Sequence, residues 1–216
     1  MVLHLTFDGT TNDSSGYGNN GTVINAVNIS YDENEKVGEK AIKFNGTSQR
    51  GSVRIPASPS LSFTNEMSVS YWVRLDNHYG QLGDSPWYGS EGIHGIFVKG
   101  QEGNISNYIY TGSGRSDLGL SGGGISVDNP FAIDKWVHVA FTISGTHRKG
   151  YIDGELITTQ EKTSHNFASS NGSGIDIGWL NSDWYPLNGA LDDFRMYNKA
   201  LSDMEVKALF DLGENN

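Results

Sequence analysis

The 216-residue sequence contains no cysteine. That excludes disulfides, thiolate metal sites and a cysteine nucleophile, and it says nothing about export in bacteria. Proline is scarce, at five residues, too few for a stiff extended linker. No stretch approaches the roughly 20 apolar residues that cross a bilayer, so membrane insertion is not expected. Basic residues are short as well: Lys and Arg total 15 against 25 Asp and Glu, scattered singly, for a formal net charge of -10. Such a field repels a phosphate backbone, so nucleic acid is not an expected partner. The opening MVLHLTFDGTTN lacks a basic region and an apolar signal core. Two readings stay open: a chain that remains inside, or one domain of a longer exported chain.

What is present is glycine (28 residues), aromatic side chains (11 %) and a charged fraction of 19 %. This is too aromatic for a disordered chain, and its glycine has no collagen period. The length suits one large domain with its own core. No boundary, repeat or linker interrupts the pattern, so one domain is expected over residues 1–216.

Alternation of period two dominates, the mark of strands lying on a core. Leu3, Leu5 and Phe7 share one face; so do Val27, Ile29 and Tyr31, Ile42 with Phe44, and Val53 with Ile55. Met67, Val69, Tyr71, Val73 and Leu75 alternate with Ser68, Ser70, Trp72 and Arg74, and Val137, Val139, Phe141 and Ile143 make a second long strand. Trp72 and Trp136 on the opposite faces point to strands covered on both sides. Asp153-Gly154 between two apolar pairs is a hairpin signal. The one expected helix is C-terminal: Ser202 caps it, Glu205 completes a capping box, and Leu201 staples onto Val206. About a dozen strands and one short helix predict an all-β, two-sheet antiparallel sandwich.

Four segments in order, LTFDG (5–9) with DSSGYGNNGTV (13–23), KAIKFNGTS (40–48), WVHVAFTISGTHRKGYIDGELI (136–157) and NGALDDFRMYNKALSDMEVKALF (188–210), resemble the laminin-G-like, concanavalin A-like jelly-roll family of bacterial secreted proteins. The resemblance covers nearly the whole chain and speaks to fold more than function, because this fold hosts lectins, adhesion domains, hydrolases and lyases. It implies an extracellular or cell-surface location, carbohydrate binding as a module of a larger protein, and a structural calcium between the first and last strands.

For calcium the expected ligands are Asp8, at the end of the first strand, and Asp192, which shares parity with the core-facing Phe194 and Met196. Asn20 and Asn45 would add oxygens. A buried carboxylate needs a cation or several backbone donors, and calcium takes six to eight oxygens. The alternative is that Asp8 and Asp192 bind turn amides only.

Sugars present apolar C–H faces beside hydroxyls, so their sites pair aromatic platforms with planar polar groups. Trp87, Tyr88 and His94 fall in a long expected loop from Asn77 to Gly95, and such loops are often functional. Trp179, Asn181, Trp184 and Tyr185 fall in a second loop, and Tyr108, Tyr110, Arg115 and Asp117 could line the same face. The bland alternative is that some of these aromatics close the ends of the sandwich. Arg115 could meet a carboxylate or sulfate on an acidic glycan, against the chain's own negative charge. His138, in mid-strand, reads as a structural histidine.

Glycoside hydrolysis ordinarily needs two flanking carboxylates. The E-x-D-x-x-E strand pattern of glucanases on this fold does not occur, nor does a G-x-S-x-G elbow or a phosphate-binding loop. The expectation is a non-catalytic glycan-binding module stabilised by calcium. A protein-binding adhesion domain, or a receptor-binding piece of a phage or surface fibre, is the alternative.

Overall fold

Leu3 and Leu5 form the first short strand of a computed structural model that describes residues 1–46, 51–77, 92–100, 105–111, 114–120, 124–129, 131–161, 167, 170–180 and 185–214. The strands, in chain order, are β1 (Leu3–Leu5), β2 (Thr22–Ile24), β3 (Ile29–Asp32), β4 (Ala41–Asn45), β5 (Ser52–Ile55), β6 (Met67–Leu75), β7 (Ile93–Lys99) and β8 (Ile105–Tyr110). They continue as β9 (Arg115–Leu120), β10 (Ile125–Asp128), β11 (Trp136–Ile143), β12 (His147–Ile152), β13 (Glu155–Glu161), β14 (Ile175–Ile177) and β15 (Asn188–Tyr197), before helix α1 (Asp203–Glu214).

They pair into two antiparallel sheets. The larger runs β13-β12-β11-β6-β15-β4-β3, with β1 also on β15; the smaller runs β10-β9-β8-β7-β14-β5-β2. The inward residues of both, among them Tyr71, Val73, Phe97, Ile109, Leu118, Phe141 and Phe194, make one buried core between the sheets. This is the two-sheet antiparallel sandwich that the alternation predicts, with the jelly-roll architecture that the family resemblance implies.

The larger sheet is covered on its outer face too. Phe210 of α1 stacks on Trp72 at 5.5 Å, and Val206 with Leu201 packs on Ala140 and Tyr151. The capping box forms as read: Ser202 N donates to Glu205 Oε2 at 2.8 Å, and Glu205 N donates to Ser202 Oγ at 3.3 Å. The hydrogen bond from Lys199, with those from Ser202, holds the Glu205 carboxyl down to about 2. Its folded value lies below its unfolded one, so its contribution is full above the ordinary glutamate range and is lost as pH falls through about 2. Ser202→Ala is expected to cost about 1 kcal/mol in urea unfolding at pH 7; an unchanged midpoint would remove the cap from the account.

Two local expectations differ from the structure. Val27 lies in a 3-10 turn (Ala26–Asn28) and is 83 % exposed, because Asn25 adopts left-handed backbone at φ 54° and breaks the extended run before Ile29. Phe7 lies beyond β1 at φ 60°, yet it is fully buried. The Asp153-Gly154 hairpin forms as a two-residue loop with both φ positive, 49° and 77°, the geometry that suits the twist of β12 and β13. His138 is buried as read, with Nε2 2.8 Å from Ser70 Oγ, and burial pushes its pKa down to about 3.

Candidate functional site

The outer face of the smaller sheet collects four of the residues singled out above, Tyr108, Tyr110, Arg115 and Asp117. In β8, Ile105, Asn107 and Ile109 are buried, which turns Tyr108 and Tyr110 outward; in β9, Ser116 and Leu118 are buried, which turns Arg115 and Asp117 outward. The antiparallel register sets them in two rows across the sheet. Tyr108 faces Asp117, which faces Ser126; Tyr110 faces Arg115, which faces Asp128. Ser126 and Asp128 are exposed.

Within this patch the Arg115 guanidinium lies 5.4 Å from the Tyr110 ring centre, and its Nε is 2.9 Å from Asp117 Oδ2. From the core side, Tyr71 Oη donates to Asn107 Oδ1, while Asn107 Nδ2 donates to Ser116 Oγ (3.2 Å) and to the Asp117 carbonyl (2.9 Å). A buried amide therefore fixes the register that brings Tyr108 and Asp117 together.

A small hairpin borders the patch. Leu187 N donates to Gly178 O at 2.8 Å, and Trp179 bridges Pro186. The hairpin sits on β7 through Gly178 N to Ile96 O (2.8 Å) and Gly95 N to Tyr185 O (3.0 Å). Gly95 is the register partner of Tyr108. A Cβ there would lie 2.3 Å from Leu180 N and 2.6 Å from Tyr185 O, so the bare glycine lets the hairpin backbone lie against the sheet beside Tyr108.

Two expected contact residues are placed differently. His94 belongs to β7, not to a loop; it is fully buried, and its Nδ1 accepts from Asn188 N at 3.3 Å. The glycines around it read as loop, but β7 runs through His94 and Gly95, led by the buried apolar run Ile96-Phe97-Val98. Trp179 is 8 % exposed, with its backbone bridged to Pro186. Tyr185 is half-buried, at φ 61°. Trp87, Tyr88, Asn181 and Trp184 lie outside the described residues.

The four residues expected around calcium bind other partners. Asp8 follows β1 by three residues, and its Oδ1 accepts from Glu39 N (2.6 Å) and Lys40 N (3.1 Å). Asp192 Oδ2 accepts from Lys36 N and Val37 N, both at 2.9 Å. The two carboxylates thus hold the 36–40 segment, and Gly38 at φ 84° leaves room for Asp8. Asn20 Oδ1 accepts from Asp13 N at 2.9 Å, and Asn45 Nδ2 donates to Asn28 Oδ1 at 2.9 Å.

Asp192 is mid-strand, and it does not share a face with Phe194 and Met196. It pairs with Trp72, whereas Arg195 pairs with Ser70. The extra residue between them is a bulge with Asp193 at φ 50°, which reverses the side-chain parity. Asp192 is still fully buried, on the outer face under the 36–40 segment, and burial pushes its pKa up to about 7 against the amides of Val37 and Lys36.

Calcium needs six to eight oxygens. Of the two carboxylates, Asp192 Oδ1, buried without a hydrogen-bond partner among the described residues, and Asp8 Oδ2 remain. Among the described residues no three His, Cys, Asp or Glu are grouped to hold a metal ion. The donor set as placed does not complete a calcium shell.

The sequence assigned nothing to His4, yet its Nε2 lies 2.7 Å from Asp193 Oδ1, which also takes Arg195 Nη2 at 2.9 Å. No sequence spacing signals this triad, because it depends on β1 pairing with β15 across the bulge. Among the described residues, no helix is long and apolar enough to cross a membrane.

Comparison with known proteins agrees with this architecture. The family model described as the concanavalin A-like lectin/glucanases superfamily matches residues 45–207. A search of curated protein sequences finds no match. Among solved structures, the chain is similar to domain 4 of AbnA, an extracellular GH43 arabinanase from Geobacillus stearothermophilus, in complex with arabinotriose. The TM-score is 0.71 at 24 % identity, over 96 % of this chain and 97 % of that one. It is also similar to the binding domain of botulinum neurotoxin serotype G (TM-score 0.74, 18 % identity, 98 % of this chain). The binding domain of botulinum neurotoxin DC in complex with rat synaptotagmin II gives a TM-score of 0.70, at 19 % identity over 98 % of this chain. The chain spans about half the length of each toxin domain, 50 % and 51 %. At these identities the likeness speaks for the fold alone.

Proposed function

The chain belongs to the concanavalin A-like lectin/glucanase superfamily, and on that premise we propose that it is a non-catalytic carbohydrate-binding domain of an extracellular or cell-surface protein. The observation that carries the reading is the patch on the smaller sheet, where Tyr108 and Tyr110 stand in register with Asp117 and Arg115 beside the Gly178–Leu187 hairpin. A sugar ring lays its C–H face on a tyrosine, and its hydroxyls meet the carboxylate and guanidinium. Trp87, Tyr88, Asn181, Trp184 and Tyr185 extend the proposed contact from the two neighbouring segments of sequence. Binding at so shallow a surface is weak, since hydrated hydroxyls compete for the same bonds.

The arabinotriose in the similar arabinanase domain makes arabino-oligosaccharides the first probe, alongside a broad glycan panel. Titration calorimetry is expected to detect binding that Tyr108→Ala or Tyr110→Ala each weakens by about tenfold, equal to about 1.4 kcal/mol, with the melting temperature little changed. Silence across the panel from folded protein would turn the reading to a protein partner. Repeating the runs with calcium and with chelator tests the structural ion implied by the family resemblance. A lower melting temperature in chelator would give calcium that role, and an unchanged one would remove it.

A further inference from the structure

The Asp117 side chain is only 9 % exposed, yet one of its two carboxylate oxygens lacks a partner among the described residues. Oδ2 takes Arg115 Nε at 2.9 Å, whereas Oδ1 is buried and accepts no hydrogen bond from any of them. Leaving a charged acceptor dry and unpaired is costly, so the residue is poorly accounted for as structure alone. Its place is informative, because Asp117 lies on the outer face in register with Tyr108, inside the aromatic patch.

Its partner Arg115 is the exposed half of the pair, with a side chain 43 % exposed. Sequence reasoning offered Arg115 to the carboxylate or sulfate of an acidic glycan. The structure has already given that charge a counter-ion. Asp117 holds the guanidinium from one side, and Asp128 stands opposite Arg115 in the register of β10. Two carboxylates against one guanidinium leave the patch with a formal charge of -1, on a chain whose net charge is -10.

Resting on the glycan-binding reading above, we infer that this subsite selects neutral sugars with a free hydroxyl donor and rejects uronate, sialylated and sulfated glycans, with Asp117 as the specificity-determining residue. A ligand hydroxyl donates to Asp117 Oδ1, which becomes accessible when the exposed Arg115 side chain turns aside on its flexible stem. The terminal amino groups of Arg115, swung clear of Asp117, donate to a neighbouring ring or hydroxyl oxygen, so carboxylate and guanidinium together serve the two sides of a vicinal diol. Anionic glycans meet the uncompensated carboxylate and are repelled.

The test is paired affinity measurement on the whole chain, with neutral arabino- and galacto-oligosaccharides against oligogalacturonate and a sulfated oligosaccharide, at low and at physiological salt. Wild type is expected to bind the neutral set and not the anionic one. Asp117→Asn keeps the shape, removes the charge and releases Arg115. It is expected to lose at least about tenfold on neutral ligands and to gain measurable binding of the anionic ones, most strongly at low salt. Arg115→Gln provides a second variant should the first be unstable: it weakens neutral binding while anionic glycans stay rejected. Equal or better binding of anionic glycans by wild type would overturn the inference, as would unchanged neutral affinity in Asp117→Asn, both leaving glycan binding itself intact. Absence of binding to either set by folded wild type would overturn both.

Discussion

Gly95→Ala is expected to abolish measurable glycan binding and to destabilise the fold by about 1–3 kcal/mol, the range for overpacking a filled site. The added methyl would lie 2.3 Å from Leu180 N and 2.6 Å from both Trp179 C and Tyr185 O. All three are backbone atoms, so no side chain can turn aside to make room. The hairpin has to lift from β7, breaking the bond from Gly95 N to Tyr185 O and loosening the one from Gly178 N to Ile96 O. That removes the border of the Tyr108 patch. Hydrogen exchange reads the structural half of the prediction: the amides of Gly95, Gly178 and Leu187 should lose protection while β6 and β11 keep theirs. Titration with the best glycan reads the functional half. Full affinity with the hairpin demonstrably loosened would detach the hairpin from the binding site; full protection would show that the close approach is not needed.

The second large effect is expected at Trp72. Its indole is 1 % exposed and packed from three directions: Phe210 of α1 stacks at 5.5 Å, the His138 ring lies at 5.2 Å, and Lys36 Nζ sits 4.7 Å over the ring. Gly213 closes the fourth side, since a Cβ there would fall 2.6 Å from Trp72 Nε1. Trp72→Ala opens a cavity between the larger sheet and its covering helix and should cost about 3–5 kcal/mol, measured by urea unfolding. The helix docks through this ring, so fraying of α1 should accompany the loss. Trp72→Phe makes the sharper comparison. The indole N–H is buried with no hydrogen-bond partner among the described residues, so replacing it with a phenyl ring sacrifices volume but also removes an unsatisfied donor. Its cost should fall well below that of alanine. Equal losses for the two variants would mean that ring packing is not what holds the helix.

Much of this architecture was legible in advance because alternation reports burial locally. Met67 to Leu75 needs no knowledge of its neighbours to declare one face apolar, and the capping box at Ser202 and Glu205 closes within four residues. The aromatic patch was partly legible for the same reason. Tyr108 and Tyr110 are two residues apart on one strand, and Arg115 and Asp117 are two apart on the next, so each pair had to share a face.

What a period-two rule cannot contain is an inserted residue. The bulge at Asp193 moved Asp192 from the core face to the face of Trp72, and an expectation built on parity with Phe194 moved with it. His94 and Gly95 looked like loop because glycine punctuates them, but strand β7 runs through both, and Gly95 is there to admit a backbone from 83 to 92 residues further along the chain. Lys99 makes the same point from inside: it is fully buried, its ammonium donates to the carbonyls of Ser170 (2.8 Å) and Ser173 (2.6 Å), and burial draws its pKa down to about 8. Nothing near Lys99 in sequence announces those carbonyls.

The sequence by itself thus determined the sandwich, its capped helix and its family, because strand alternation, turn chemistry and helix capping act over two to five residues. Only the tertiary structure decided which strands became neighbours. That choice paired Tyr108 with Asp117, set Asp128 opposite Arg115, buried His94 and gave the carboxylates of Asp8 and Asp192 to the amides of one segment. Those are contacts between residues up to 156 positions apart, and their partners are selected by sheet register and close packing, which no local pattern encodes.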